Sequence, residues 1–458
     1  MEFIHDPYQP GETIAAIATP IGEGGVAIVR ISGIEAVAVA DRVFSGPVTS
    51  YYSHTAHFGK VLNPKSEEID EALLLVMKGP KSYTGEDTVE IHCHGGNLIT
   101  RRVLDAVLAS GARLAQPGEF TFKAFMNGKL DLAKAEAVQM LIGAKSERAL
   151  DAAKEQLLGS LSTKVALMQK ELTQIAAILE AWVDFPEEGL EFATLAELLS
   201  DLVACTTTID QLTQTFHEGK LISQGIALCL VGCPNAGKSS LMNVLLDKER
   251  AIVSQIAGTT RDVVEDQMQL RGLHVRLFDT AGVREADDVI EQEGIRRTKE
   301  ALKKADLILL VLEAPRGIQK EERELFDAIA DKKTVAIWNK MDLPHDLLPK
   351  LPFSHVAEVS ALKKQGFEEL ISLIDDVLWE GTPPSKEETV ITNVRHLEAL
   401  KKAKQYCEEV ISGLKAEQSP EFLAAHMRYA LLELGKILGT NVGEDVLTAI
   451  FSTFCIGK

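Results

Sequence analysis

The sequence predicts an α/β multidomain fold, and three patterns in its 458 residues carry that prediction. Between about residues 222 and 380, short apolar runs alternate with helical periodicity, as in a parallel sheet covered by helices. On either side, about 129–218 and 393–450, the apolar spacing is helical almost throughout. Before residue 120, short apolar runs bounded by glycine and proline read as buried strands. Two helical stretches flanking an alternating one place the latter as an insertion into a helical domain.

The elements follow in chain order. Ile14-Ala-Ala-Ile-Ala, Val26-Ala-Ile-Val-Arg-Ile and Ala72-Leu-Leu-Leu-Val-Met are expected strands, and Asn97 to Ala109 a helix stopped at Gly111, so the first third is α+β. The next stretch is helical with a break at Phe185-Pro186, its apolar stripe marked by Leu172, Ile175, Ile178, Leu179 and Trp182. From Glu171 to Glu218 there are ten Asp or Glu and no Lys or Arg, which reads as a solvated acidic helix face. Expected strands of the alternating segment are Gly225–Val231, Val275–Phe278, Leu307–Leu312 and Val335–Trp338. A Gly381-Thr-Pro-Pro turn closes it before the last helical stretch.

Composition bounds the function. With 46% apolar and 25% charged residues the chain is an ordinary globular one, and no apolar run reaches the ~18 residues a membrane span needs. Met1 to Gly11 is polar and acidic and does not read as a secretory signal. Six cysteines are scattered without a C-x-x-C pair, so neither a disulfide framework nor a Cys-rich zinc site is expected, and a reduced cytoplasmic protein is. A net charge of −19 argues against a bulk nucleic-acid coat, since phosphate affinity comes mostly from Lys and Arg. His92 and His94 would share one strand face, as two metal ligands do. No third or fourth ligand stands nearby, and zinc is not expected.

Gly232-Cys-Pro-Asn-Ala-Gly-Lys-Ser matches G-x4-G-K-[ST] after an apolar strand and before a helix, the context a phosphate-binding loop requires. Its backbone N–H groups would wrap phosphate oxygens, Lys238 would reach the β/γ-phosphates, and the Ser239 hydroxyl would bind Mg²⁺. Asp279-Thr280-Ala281-Gly282 closes the next strand, its Asp holding Mg²⁺ through water and its glycine amide sensing the γ-phosphate. Asn339-Lys340-Met-Asp342 follows a later strand. A carboxylate there accepts the N1–H and N2 amino donors of guanine, a pair adenine lacks, so GTP is the expected nucleotide. Ser360-Ala361-Leu362 occupies the place of a final base-contacting loop. In Gly258-Thr259-Thr260-Arg-Asp, Thr260 can ligate Mg²⁺ and close over GTP. The position after Gly282, where many GTPases carry a water-orienting Gln, is Val283. Hydrolysis then needs another water-positioning group, and spacing does not choose among the charged residues of Arg284–Arg297.

These motifs, with Pro117-Gly-Glu-Phe120, Asn127-Gly-Lys-Leu-Asp-Leu132, Asp184-Phe-Pro-Glu-Glu188 and the terminal Phe454-Cys-Ile-Gly-Lys458, resemble from end to end the MnmE (TrmE) family of tRNA-modification GTPases. The resemblance implies an α+β N-terminal folate-binding and dimerisation domain (1–122), a helical domain in two parts (123–220 and 383–458) and an inserted P-loop (Ras-like) GTPase domain (221–382). It implies a homodimer whose G domains meet to hydrolyse GTP with K⁺ near the phosphates. Asn235 matches the K⁺-ligating asparagine, and Ser254, Ile256 and Thr259 line the loop completing that site. Gln255, Ala257, Ala236, Gly237 and Ser240 belong to the same nucleotide-contacting loops. Glu291 matches the glutamate that orients the attacking water. Arg30, Glu90, Lys129 and Lys458 match the folate-contacting positions, the ligand being 5,10-methylene- or 5-formyl-tetrahydrofolate, and Cys455 lies near the chemistry. The implied partner is the FAD-containing MnmG (GidA). With it the chain would add a carboxymethylaminomethyl or aminomethyl group to C5 of the wobble uridine of certain tRNAs, away from any membrane. A ribosome-assembly or other RNA-associated GTPase is the alternative. A third reading is a folate-dependent transferase with a regulatory nucleotide domain.

Overall fold

The structure is a computed structural model that describes residues 11–185, 194–248, 266–279, 302–379, 384–385 and 388–458. The chain forms two compact units: one comprises residues 1–142, 156–207 and 399–458, the other 143–155 and 208–398.

The first unit opens with a six-stranded sheet in the order β3-β4-β5-β2-β1-β6. Its strands are β1 (Ile14–Ile17), β2 (Val26–Ser32), β3 (Thr55–Leu62), β4 (Glu68–Met77), β5 (Thr88–His94) and β6 (Arg113–Leu114). All neighbours run antiparallel except β1 and β6. Alternation fixes which face is buried, because successive side chains point to opposite sides. Ala27, Val29 and Ile31 of β2 and Val89, Ile91 and Cys93 of β5 join the core against α1 (Ala36–Val43) and α2 (Asn97–Ala109). Arg30, Glu90 and His92 therefore stand on the opposite face, with Arg30 directly across from Glu90 in register. The expected strands and the helix to Ala109 form where the sequence places them.

The helices continue with α3 (Glu119–Met126) and α4 (Leu132–Gly143) of this unit, α5 (Glu147–Leu158), whose residues 147–155 belong to the second unit, α6 (Ser160–Asp184) of the first, and α7 (Leu195–Gln214), which passes into the second at residue 208. Leu172, Ile175 and Leu179 of α6 are buried at helical spacing, and α6 ends at Asp184, where Phe185-Pro186 was expected to break it.

In the second unit, α8 (Phe216–Gln224) leads into a sheet ordered β12-β11-β10-β7-β9-β8. The strands are β7 (Ile226–Val231), β8 (Asp266–Leu270), β9 (Leu273–Asp279), β10 (Leu307–Glu313), β11 (Thr334–Asn339) and β12 (His355–Glu358). All pair in parallel except the edge strand β8. Helices α9 (Lys238–Lys248), α10 (Lys320–Ile329) and α11 (Phe367–Trp379) accompany the sheet. Every residue of β7 and β11 is buried, as expected of central strands covered on both faces. In the first unit, α12 (Val394–Lys415), α13 (Pro420–Leu438) and α14 (Glu444–Phe451) complete the chain, α13 packing along α6. No helix among the described residues is long and apolar enough to cross a membrane.

Candidate functional site

In the second unit the candidate nucleotide pocket is built where the buried strands β7 and β11 release the chain at one end of the sheet. The loop from Gly232 leads into α9, which begins at Lys238. Its turn needs glycine at 237: φ is +92°, and a Cβ there would come 2.2 Å from Asn339 Nδ2. Asn339 is almost fully buried at the end of β11. Its Nδ2 donates to the Ala236 carbonyl at 2.9 Å, and its Oδ1 accepts from the Ala361 amide at 3.1 Å. One side chain thus ties the phosphate-type loop to both base-type loops. Lys238 is buried, and its Nζ donates to the Gly232 and Cys233 carbonyls at 3.0 Å each, inside the curl of the loop.

The base-type loops are fixed by two further contacts. The Ser360 hydroxyl donates to Asp342 Oδ1 at 2.6 Å, which holds that carboxyl below the usual aspartate range. A carboxylate so fixed keeps lone pairs for two more donors. Lys340, with φ of +64°, pairs with Glu313 at 2.8 Å. Asn235, Ser239, Ser240 and Leu362 are exposed. Asn235 also has a left-handed backbone, φ +64°, which asparagine tolerates better than most residues. Asp279 ends β9. Ser254, Gln255, Ile256, Ala257, Gly258, Thr259, Thr260, Thr280, Ala281, Gly282 and Glu291 lie outside the described residues. Sequence spacing had no means of showing the roles of Glu313 or of the Asn339 side chain as a brace.

In the first unit, three of the four folate-type positions converge. Arg30 Nε donates to Glu90 Oε1 at 2.8 Å, and Arg30 Nη1 donates to the Gly457 carbonyl at 2.9 Å. The guanidinium carbon lies 5.8 Å from the Tyr83 ring centre and 5.7 Å from that of Phe120, and Lys458 Nζ lies 5.5 Å from Tyr83. Burial, and then the nearby Arg30 charge, push the Lys458 ammonium below its ordinary pKa, while Glu90 acts the other way. The second oxygen of Glu90 faces His92 Nε2 at 3.3 Å. Lys129 instead donates to the Pro80 carbonyl at 3.0 Å, on the loop that carries Tyr83. His94, on the same face as His92, pairs with Asp70 at 2.8 Å. A separate cavity of about 270 Å³ opens between Ile17–Gly22 and the start of α2, at Asn97, Thr100 and Arg101. Tyr83 went unread in the sequence, and Phe120 entered only as the last residue of Pro117-Gly-Glu-Phe120.

Comparison with known proteins covers both units. The family model described as the MnmE helical domain matches residues 132–455, and that of the GTP-binding protein TrmE N-terminus matches residues 13–129. A tRNA modification GTPase MnmE of Protochlamydia amoebophila is 61% identical over 458 residues, covering 100% of both chains. Its counterpart in Moorella thermoacetica is 46% identical, covering 98% of this chain and 99% of its own. That of Enterococcus faecalis is 42% identical, covering 98% of each.

Proposed function

The chain belongs to the MnmE family of tRNA modification GTPases, and on that premise we propose which of its parts performs which step. It is a GTP-hydrolysing enzyme of tRNA modification. GTP binds in the second unit, the N-terminal domain (1–122) takes a tetrahydrofolate, and the two parts of the helical domain (123–220 and 383–458) flank the G domain (221–382) in the sequence. The observation that carries the nucleotide reading is the brace at Asn339. It sets Lys238, at the loop for phosphates, and the Ser360-fixed carboxylate of Asp342, at the loop for guanine, in one rigid frame.

Mg²⁺ fits the exposed hydroxyl of Ser239 at the first turn of α9, with Thr260 as the second protein ligand. Mg²⁺ supplies charge neutralisation at the β- and γ-phosphate oxygens when bound. K⁺ fits beside Asn235, whose left-handed backbone turns the loop there, with Ser254, Ile256 and Thr259 completing the set. A monovalent cation at that place serves as the positive charge that an arginine supplies in other GTPases. Glu291 orients water in the role that Val283 cannot fill. Two copies of the chain meet through their G domains during turnover.

In the N-terminal domain, Glu90 accepts from the pterin donors, while Arg30, Lys129 and Lys458 face its anionic tail. The chain works in the cytoplasm with FAD-containing MnmG (GidA) to place a carboxymethylaminomethyl or aminomethyl group on C5 of the tRNA wobble uridine. The deciding experiment is GTP turnover in KCl and in NaCl at equal ionic strength, with Asn235→Ala as control. Strong K⁺ stimulation that the substitution abolishes is expected. Equal, slow turnover in both salts would remove the K⁺ assignment and return weight to a ribosome-associated GTPase.

A further inference from the structure

The C-terminal tail is seated at both ends, and between them its side chains are exposed while the Cys455 carbonyl accepts from the Gly118 amide at 3.4 Å. Upstream, Phe451 and Phe454 are buried with Leu132 and Ala135, and Gln139 Nε2 donates to the Thr453 carbonyl at 3.0 Å. Downstream, Gly457 adopts φ +92° with its α-carbon pressed on β1, so that a Cβ would lie 2.4 Å from the Ile17 carbonyl. Between the two anchors, Cys455 and Ile456 are exposed. At the downstream anchor Arg30 Nη1 donates to the Gly457 carbonyl at 2.9 Å. Arg30 is itself held rigid by Glu90 and by the rings of Tyr83 and Phe120.

We infer that Arg30 is a positioning residue for the tail. Backed by Glu90, it latches Gly457, two residues beyond Cys455, and so restrains the stretch of tail that carries the exposed Cys455 thiol. One guanidinium then serves two neighbours. A ligand that draws Glu90 or Arg30 toward itself must also alter the seating of the tail, so occupancy of the site and presentation of Cys455 are coupled. The identity of that ligand as a folate, and only that, rests on the function proposed above.

The test uses the full-length chain and three variants: Arg30→Ala, Arg30→Lys and Gly457→Ala. Hydrogen exchange at residues 455–458 reads the tail, exchange across α3 reads whether the domain is folded, and peptide mass spectrometry reads alkylation of Cys455. Loss of one bond from a charged donor predicts exchange faster by roughly 10- to 100-fold in Arg30→Ala with α3 unchanged, and partial rescue in Arg30→Lys. Gly457→Ala keeps both charged groups, and it should loosen the tail while leaving GTP turnover unchanged. In the wild-type chain, 5-formyl-tetrahydrofolate should change the rate of Cys455 alkylation, and Arg30→Ala should abolish that response. Unchanged tail exchange in Arg30→Ala, with folate still bound by the wild type, overturns the latch and spares the folate reading. A loosened tail in a chain whose wild type binds no folate spares the latch and overturns the folate reading. Should alanine at position 30 cost the protection of α3, Arg30→Gln carries the same two outcomes.

Discussion

Asp342 and His274 show how a single neighbour, or the lack of one, sets the charge of a side chain. The Ser360 hydroxyl favours the ionised form of Asp342, which is the form that can accept from guanine. Replacing it in Asp342→Asn removes the acceptor for one ring donor. The affinity for GTP should fall by about 10- to 100-fold, the worth of a bond to a charged group. Xanthosine triphosphate, whose C2 carbonyl can accept from an asparagine amide, should bind the variant better than it binds the wild type. A fluorescent-nucleotide titration measures both, and equal GTP affinity in the two proteins would remove Asp342 from the base site. His274 is the reverse case. It is 8% exposed, its Nε2 has no partner among the described residues, and burial, with Lys145 and Arg276 nearby, pushes its pKa down to about 4. An unfolded chain takes up that proton near pH ~6.5, whereas the folded one refuses it until about 4. Stability should therefore decline as pH drops through this window, by at most about 3 kcal/mol, and level off below it. Urea unfolding of the full chain at about pH 7 and about pH 5 should show this slope, and His274→Leu should flatten it. An undiminished slope in the variant would assign the effect to other groups.

Among the elements, the loop between β4 and β5 is tied to α3 by a buried ion pair. Lys123 of α3 is 1% exposed, and its Nζ donates to Glu86 at 2.7 Å and to the Glu12 carbonyl. Glu86 sits on the loop that also presents Tyr83, so the pair joins α3, the start of the chain and the aromatic wall around Arg30. Glu86→Ala leaves an ammonium buried without its counter-charge and should cost about 3–5 kcal/mol, while Lys123→Met, which removes the charge itself, should cost distinctly less. Thermal or urea denaturation of the two variants ranks them, and the opposite order would show that the pair is not the source of the stability. The existence of α2 and of the expected strands was readable in the sequence because burial imposes a period of two or 3.6 residues, whereas α3 was not read there. The apolar stripe of α6 follows from that rule directly, while β7 and residues 307–312 of β10 read as continuous apolar runs of strands covered on both faces. Other elements carry no such sign. Strand β3 alternates only weakly toward solvent, and the antiparallel edge strand β8 joins an otherwise parallel sheet through pairing rather than pattern. The nucleotide loop was legible because its geometry demands glycine and lysine at fixed spacing. The contact from Arg30 to Gly457 was not, because it joins residues 427 apart, and nothing local to either requires the other.

Over the whole molecule, charge decides how an enzyme of tRNA modification can hold its substrate. The chain carries 67 acidic against 48 basic residues, and the run from Glu171 to Glu218 holds ten acids with no Lys or Arg. On α6 and α7, Glu171, Glu197 and Asp201 of that run stand exposed, and Glu180 is paired with Arg428 at 2.8 Å. Phosphate binding releases counterions in proportion to the cations offered, and a surface of this kind offers few and repels at range. The chain alone should then bind tRNA weakly, with a Kd in the ~10⁻⁴–10⁻⁶ M range of non-specific binding and a shallow dependence on salt. If MnmG is the partner, as proposed above, it supplies the cationic surface, and its addition should both tighten binding and steepen the salt slope. Filter binding of tRNA at about 50 and about 200 mM KCl, with and without the partner, reads both quantities. Tight binding by the chain alone, lost steeply between the two salts, would place a concentrated basic site on this protein and refute the division of labour. Weak binding that the partner converts to tight binding would leave this chain to GTP, the folate and the seated tail.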